Sequence, residues 1–208
     1  MTLLSKYAPI TLSDFVFEDP LVEIGIGPFA TGAVRDRILL HGDYGGGKST
    51  LAQIVANAGF LRAGTGNKAT VLAGGKYNST SHNLLDNGWT LGAIDGIAYP
   101  YVIIEDVDRL QDKQLDLRDF LDNRRQYGVI FTTNNLGLVD GGLLNRCQQF
   151  EIKVPTPAQW APRAQYILAR EGVSVSLAKV QALLTAANGS IRDTERALAQ
   201  LIASLKTV

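Results

Sequence analysis

The amino-acid sequence predicts an α/β protein in which a parallel sheet covered by helices is followed by a small all-α domain. The first observation is that short apolar segments alternate with helical patterns from residue 37 to residue 152. This alternation is typical of a parallel sheet with helices on both faces. The second observation is that only helical patterns follow residue 156. We therefore expect an α/β domain over residues 1–154 and a helical domain over residues 155–208.

Five segments have the apolar content of buried parallel strands, and they are Arg37–His41, Ala69–Gly74, Tyr101–Glu105, Val129–Thr133 and Gln149–Ile152. Helical patterns lie between them at Lys48–Ala58, Ser81–Ile94, Lys113–Arg125 and Gly141–Arg146. After the last strand, Thr156 followed by Pro157 is typical of a helix N-cap with proline at the first helical position. The helices predicted there are Pro157–Arg170, Ser176–Ala187 and Ser190–Lys206.

Composition excludes several classes of protein. No apolar stretch approaches the roughly 20 residues that cross a bilayer, and the N-terminus lacks a secretory signal pattern, so we expect a cytoplasmic protein without a membrane partner. Cys147 is the only cysteine, which excludes an internal disulfide and a multi-cysteine metal site. The 20 basic and 20 acidic residues balance, which argues against a broadly basic nucleic-acid binder but not against a local basic strip.

The segment Gly42–Ser49 reads G-D-Y-G-G-G-K-S and matches G-x-x-x-x-G-K-[ST] in full. The glycines allow the backbone to curve so that successive N–H groups face phosphate oxygens. Lys48 would supply a cation to the β- and γ-phosphates, and Ser49 a hydroxyl to Mg²⁺. The alternative is an ordinary glycine-rich turn, but the preceding strand and following helix favour a phosphate-binding loop. The predicted nucleotide-binding residues are Gly42, Asp43, Tyr44, Gly45, Gly46, Gly47, Lys48, Ser49 and Thr50.

A second acidic element is the segment Tyr101–Asp108, Y-V-I-I-E-D-V-D. An apolar strand that ends in paired carboxylates can hold Mg²⁺ and orient a water molecule against the γ-phosphate; the alternative is a strand that ends in solvated acids. Such ATPases usually have Asp before Glu, whereas this chain has Glu105 before Asp106. With Glu105 at the metal and the shorter Asp106 at the water, we expect slow hydrolysis unless a partner subunit tightens the site.

Three more polar residues are candidates for the same chemistry. Asn134 ends an apolar strand and can hydrogen-bond both a γ-phosphate oxygen and a water molecule, although such residues are common where strands enter turns. Arg146 can bind a γ-phosphate with two donors; the alternatives are a salt bridge or a cation at a helix C-terminus. Arg192 lies in the first turn of the last helix, where a cation is locally unfavourable. We interpret Arg192 as a phosphate sensor, with a surface arginine as the alternative.

Together these motifs resemble those of the AAA+ ATPases, and most closely the clamp-loader subunits of replication factor C and of bacteriophages. The opening K-Y-A-P-I-T-L-S-D-F-V resembles that family's K-Y-x-P-x-x-L-x-D start, and the similarity covers nearly the whole chain. The resemblance implies a P-loop AAA+ domain that binds ATP and Mg²⁺, followed by a helical lid. The matching positions are Lys48, Ser49 and Thr50 for Walker A, Glu105 and Asp106 for Walker B, Asn134 for sensor 1, and Arg192 for sensor 2.

The same resemblance implies partners. Arg146, in N-R-C where the family has S-R-C, corresponds to the arginine finger that contacts the ATP of a neighbouring subunit, which implies a homo-oligomeric ring or spiral. Tyr7 and Val16 would line the adenine pocket. DNA is the other implied partner. The candidate DNA contacts are Arg118, near where the family couples DNA contact to the ATP site, and Arg124 and Arg125, for which a solvated helix face is the alternative.

Besides the order of Glu105 and Asp106, the chain departs from clamp loaders in three respects. The segment Ser81–Thr90, S-H-N-L-L-D-N-G-W-T, matches poorly where a DNA-facing helix would start. Ala8 replaces the usual arginine of the opening motif, and the sequence stops after the lid, where clamp loaders continue into a helical collar domain. Loading a replicative helicase onto DNA, or remodelling a replication complex, therefore fits better than loading a sliding clamp, and we expect an ATP-dependent DNA-replication accessory factor. One alternative is an initiator-type regulator, since the E-D-V-D-R of Glu105–Arg109 resembles the Walker B of some such proteins. The other is an ATP-binding scaffold with little turnover.

Overall fold

The computed structural model describes residues 6–187 and 191–206 of the chain. Its strands are β1 Arg37–His41, β2 Val71–Ala73, β3 Tyr101–Glu105, β4 Gly128–Thr133 and β5 Cys147–Glu151. The α-helices are α1 Pro20–Thr31, α2 Lys48–Ala63, α3 Ser81–Ile94, α4 Gln114–Asp122, α5 Gly141–Leu144, α6 Pro157–Arg170, α7 Leu177–Ala187 and α8 Ile191–Lys206. Short 3-10 helices lie at Leu12–Asp14, Gly74–Lys76, Val107–Lys113 and Leu136–Leu138.

The strands form one sheet in the order β2-β3-β4-β1-β5. All four neighbouring pairs are parallel, so each connection between consecutive strands must cross over the sheet, and helices make these crossovers. In the centre of the sheet, Ile38 of β1 pairs with Ile130 of β4 and Gln148 of β5. The predicted parallel sheet with flanking helices is confirmed, and β1 and β3 have the predicted bounds.

Strand side chains alternate between two apolar layers, one on each face of the sheet, because successive residues of a strand point in opposite directions. One layer contains Leu39, Val102, Ile104, Val129 and Phe131 with Trp89 and Leu117 of the covering helices. The other contains Ile38, Leu40, Tyr101, Ile103 and Ile130 with Leu51 and Val55 of α2. A third cluster is formed by Trp160, Ala164, Leu168, Val180, Leu184 and Leu198 of α6–α8. Both faces of the sheet are thus buried, which fixes the register of its strands.

Helix α1 is not predicted by the sequence pattern. Its sequence P-L-V-E-I-G-I-G-P-F-A-T has almost no polar face, and it contains two glycines and an internal proline, so periodicity does not reveal it. The local signals are present, however. Asp19 caps the helix by accepting a hydrogen bond from the backbone N–H of Leu21 at 2.9 Å, and Gly32 ends it in a left-handed conformation.

Helix and strand bounds differ from the prediction in a few places. Helix α2 continues to Ala63 rather than ending at Ala58, and α4 ends at Asp122 rather than Arg125. Strand β2 has only three residues, and β5 begins two residues earlier than predicted, at Cys147. Over the described ranges, no helix combines the length and apolar character that crossing a membrane requires.

Candidate functional site

The glycine-rich loop joins the end of β1 to the start of α2. Three of its glycines, Gly42, Gly45 and Gly47, have φ values of 130°, 83° and 89°, a region that residues with a Cβ rarely adopt. Gly47 is also the N-cap of α2, so the loop leads directly into the positive end of a helix of 16 residues. The backbone therefore has the curvature that the sequence motif predicts.

The loop lies directly against the backbone that follows β5. A Cβ added to Gly42 or Gly46 would lie only 2.5 Å or 2.7 Å from the carbonyl oxygen of Ile152. The two segments are also hydrogen-bonded, since the backbone N–H of Ile152 donates to the carbonyl of His41 at 2.7 Å. Glycine is required at both positions because of space, and at Gly42 also because of its backbone conformation.

Lys48, the first residue of α2, is 7% exposed. Its ammonium group lies inside the curve of the loop, where Nζ donates to the carbonyl oxygens of Gly42 at 2.8 Å and Asp43 at 2.7 Å. Burial lowers the pKa of Lys48 below its usual value, while the carboxylates of Asp106, Asp43 and Asp108 act in the opposite direction. The site thus contains a partly desolvated cation facing backbone carbonyls, and an anionic oxygen is a stronger acceptor for such a donor.

Asp106 follows β3 with φ 51° and ψ 55°, a left-handed conformation that is uncommon outside glycine but that Asp and Asn tolerate best. Its backbone N–H donates to the hydroxyl of Thr132 at 3.2 Å. Its carbonyl lies so close to the 3-10 turn after β2 that a Cβ on Gly74 would be 2.3 Å away. Neighbouring strands thus hold this residue in a sharp turn at the end of β3.

The predicted water-orienting and sensor residues are in contact. The side-chain amide of Asn134 donates to the carboxylate of Asp106 at 3.2 Å, and the guanidinium of Arg109 lies 3.5 Å from the other carboxylate oxygen. In parallel, the buried hydroxyl of Thr133 donates to Asp108 at 2.7 Å. No sequence pattern predicts a role in the site for Arg109, Asp108 or Thr133. The only sequence signal for them is proximity to predicted site residues: Asp108 and Arg109 closely follow Asp106, and Thr133 directly precedes Asn134.

The predicted Mg²⁺ ligands lie at the same edge of the sheet. Ser49 is exposed in the first turn of α2, and the half-buried Glu105 ends β3 beside Asp106. The part of the chain that the structure describes contains no group of three or more His, Cys, Asp or Glu side chains that could hold a metal ion. Mg²⁺ commonly needs only one or two protein ligands when substrate phosphates complete its shell. The residues present therefore fit a nucleotide-bound Mg²⁺ rather than a metal held by protein alone.

Tyr7 and Val16 both pack against the hydrophobic cluster of α6–α8. The hydroxyl of Tyr7 donates to Glu171 at 2.7 Å, and its carbonyl accepts a hydrogen bond from Arg163 at 3.0 Å. The N-terminal segment is therefore attached to the C-terminal helices. Tyr44, in the middle of the loop, is 72% exposed.

Arg146 lies between α5 and β5, and its described contacts are with α4 and α5. Its guanidinium forms a bidentate ion pair with Asp122, with nitrogen–oxygen distances of 2.8 Å and 3.0 Å, and donates to the carbonyl of Gly142 at 2.7 Å. The hydrogen bond from Arg146 holds the pKa of Asp122 below its usual value. The salt bridge that the sequence left open as an alternative is therefore present.

The other candidate arginines differ in their surroundings. Arg118 lies 3.4 Å from Asp140. Arg124 forms a bidentate pair with Asp86, at 2.6 Å and 2.8 Å, and covers the ring of Phe120. Arg125 is exposed. Because α4 ends at Asp122, Arg124 and Arg125 lie in the following turn rather than on the predicted helix face. Arg192 is in the first turn of α8, and its side chain lies outside the described residues.

Comparison with known proteins identifies a family. Residues 38–156, more than half of the chain, match the family model described as "ATPase family associated with various cellular activities (AAA)". A curated relative, Protein STICHEL-like 2 of Arabidopsis thaliana, is 24% identical over 221 aligned residues. That alignment covers 96% of this chain but only 26% of the relative, so the chain spans about a quarter of that protein's length.

Solved structures share the fold at low sequence identity. The RuvB Holliday junction branch migration motor of Thermotoga maritima superposes with a TM-score of 0.75 at 18% identity, over 97% of this chain and 67% of RuvB. AMPPCP-bound DnaA from Aquifex aeolicus superposes with a TM-score of 0.64 at 17% identity, over 89% of this chain and 62% of DnaA. A DnaA replication initiator bound to AMPPCP and single-stranded DNA gives a TM-score of 0.67 at 16% identity, over 92% and 64% of the two chains.

The contact between the loop and Ile152 can be tested by stability measurements. We expect Gly46→Ala to lower the free energy of unfolding by about 1–3 kcal/mol, because its Cβ would lie 2.7 Å from a backbone oxygen. Gly27→Ala is the matched control: nothing lies within 4 Å of an added Cβ there, and alanine in a helix should stabilise by up to about 1 kcal/mol. Urea denaturation followed by circular dichroism measures both. A Gly46→Ala variant as stable as the wild type would contradict the close contact.

Proposed function

This chain belongs to the ATPase family associated with various cellular activities, and from that membership we propose that it binds and hydrolyses ATP as an oligomer that acts on DNA or on a replication partner. The observation that carries the proposal is the buried ammonium of Lys48 inside the glycine loop. The hydrogen-bonded pair of Asp106 and Asn134 lies at the same edge of the sheet. Transfer of a phosphoryl group to water needs a cation that stabilises the phosphates and a carboxylate that orients the water.

Each residue has a part in the proposed reaction. The loop N–H groups and the N-terminus of α2 bind the phosphates, and Lys48 exchanges its loop carbonyls for phosphate oxygens. Ser49 and Glu105 would hold a nucleotide-bound Mg²⁺, which would neutralise charge on the phosphates. Asp106 accepts a hydrogen bond from the attacking water and orients it, while Asn134 holds the Asp106 carboxylate and contacts the γ-phosphate. Tyr7 and Val16 contact the adenine, and Arg192 of α8 contacts the γ-phosphate from the lid, residues 155–208.

The position of Arg146 favours action on another subunit. Arg146 and Ile152 flank β5 at its two ends, and Ile152 is the residue against which the loop packs. An extended strand rises about 3.3 Å per residue, so these two residues are on the order of 20 Å apart, which is far longer than an arginine side chain. We propose that Arg146 contacts the γ-phosphate of a neighbouring copy in a ring or spiral.

DNA and a replication protein are the proposed partners. The likeness to a Holliday junction motor and to DnaA bound to single-stranded DNA supports DNA as a ligand, which Arg118, Arg124 and Arg125 would contact at phosphates. Arg125 is exposed and could contact a phosphate without rearrangement, whereas Arg124 would first have to break its ion pair with Asp86. We propose a replicative helicase or a sliding clamp as the replication protein. The likeness to DnaA also favours the second candidate, an initiator-type regulator.

The oligomeric motor predicts a specific dependence of turnover on protein concentration. We expect ATP hydrolysis per subunit to rise with concentration and with added DNA, and to fall at least about a hundredfold in Arg146→Ala. Lys68→Ala is the control, since Lys68 is an exposed cation just before β2, the edge strand on the opposite side of the sheet from β5. Steady-state phosphate release measures all three. Turnover per subunit that is independent of concentration, and unchanged in Arg146→Ala, would contradict the proposal.

The order of the two carboxylates predicts slow turnover. We expect the double change Glu105→Asp with Asp106→Glu to raise kcat several-fold, because a longer carboxylate would reach the water. We also expect it to lower stability by about 1 kcal/mol, because Glu tolerates the left-handed conformation of residue 106 less well than Asp. Steady-state kinetics and urea denaturation test the two effects separately. Fast wild-type turnover that the double change does not improve would show that Asp106 is long enough.

A further inference from the structure

We propose that Asp122 is a positioning residue for the Arg146 finger, which it holds by one edge so that the remaining donors face a neighbouring copy. This inference rests on the proposed function, in which Arg146 contacts the ATP of another subunit. Asp122 is the last residue of α4 and is 24 residues away from Arg146 in sequence. No sequence motif connects the two residues.

The hydrogen bonds of the guanidinium leave part of it available. A guanidinium has five N–H groups. Arg146 donates Nε–H and one Nη2–H to the two oxygens of Asp122, and one Nη1–H to the carbonyl of Gly142. Among the described residues, one N–H on Nη1 and one on Nη2 therefore have no hydrogen-bond partner. Two parallel donors are what bidentate binding of a phosphate requires, and the Arg146 side chain is 37% exposed. The ion pair with Asp122 therefore leaves two N–H donors of Arg146 for a ligand.

Both members of the pair are attached to rigid parts of the fold. The end of α4 is fixed by Arg37 of β1, which is 7% exposed and donates from Nη2 to the carbonyl of Leu121 at 2.5 Å. On the other side, the backbone N–H of Arg146 donates to the carbonyl of Leu143 at 3.0 Å. A long, flexible side chain held between two anchored segments loses little further conformational freedom when it binds a ligand.

The charge of Asp122 has an opposing effect. Because Arg146 lowers the pKa of the Asp122 carboxyl, Asp122 stays ionised at neutral pH and partly cancels the positive charge of the finger. If that cancellation outweighed the orientation, removal of Asp122 would speed hydrolysis. We infer that orientation dominates, because the pair is exposed, where solvent weakens charge–charge effects, whereas the geometry of a bidentate pair is retained. Loss of Asp122 should therefore slow the reaction.

Mixed oligomers separate the finger from the ATP site. A Lys48→Ala chain offers its finger but has an impaired ATP site, and an Arg146→Ala chain has an intact ATP site but no finger. We expect mixing to restore turnover that neither chain has alone. Adding Asp122→Ala to the Lys48→Ala chain should lower the restored kcat about tenfold without changing KM, and Asp122→Glu should recover part of it. The same Asp122→Ala change in the Arg146→Ala chain should have no effect, and this is the matched control.

The possible results are distinct. Equal losses with Asp122→Ala in either chain would indicate a merely structural role and overturn the inference. Unchanged or faster turnover with the change in the finger-donating chain would also overturn it, the latter because Asp122 would then restrain the finger. If mixing the Lys48→Ala and Arg146→Ala chains restores nothing, the proposed contact between subunits is wrong and the inference about Asp122 is overturned with it. An effect confined to the finger-donating chain is the result that supports the inference.

Discussion

The parallel direction of all five strands is the constraint on which the site depends. Because neighbouring strands run the same way, the segments that leave β1, β3 and β4 all start at one edge of the sheet. Segments that are far apart in sequence, carrying Lys48, Asp106 and Asn134, begin side by side for this reason. The two buried layers on the faces of the sheet prevent a strand from shifting register, since a shift by one residue would move its apolar side chains to the wrong face.

Strand β5 connects the glycine loop to Arg146, the proposed finger, within one chain. At one end its continuation, Ile152, packs against Gly42 and Gly46. At the other end Arg146 is held by Asp122 of α4. A displacement of the loop on nucleotide binding would press on the backbone of Ile152, because there is no space between them. In a ring or spiral, this strand would connect the ATP of one interface to the finger of the next.

The sequence predicts most of the sheet and the loop because both rest on local patterns. Buried parallel strands are apolar throughout, and the glycine motif has a fixed spacing, so β1, β3 and Gly42–Ser49 could be recognised from short segments. Helix α1 could not, because it has almost no polar face. The ion pair of Arg146 with Asp122 depends on where α4 ends, and the left-handed turn at Asp106 on contacts with neighbouring segments. That turn also offers a physical reason for the unusual order of the two carboxylates, since Asp tolerates it better than Glu.

The proposed function depends on binding of the ATP phosphates by the buried ammonium of Lys48 in the glycine loop. Calorimetric titration with Mg²⁺ and AMPPCP, which is not hydrolysed, measures this binding in the wild type and in Lys48→Met, a change that keeps the length and apolar stem but removes the charge. Circular dichroism establishes that the variant is folded. We predict saturable binding to the wild type and at least tenfold weaker binding to the variant, about 1.4 kcal/mol. Equal affinities, or no binding to the folded wild type, would contradict the proposed function.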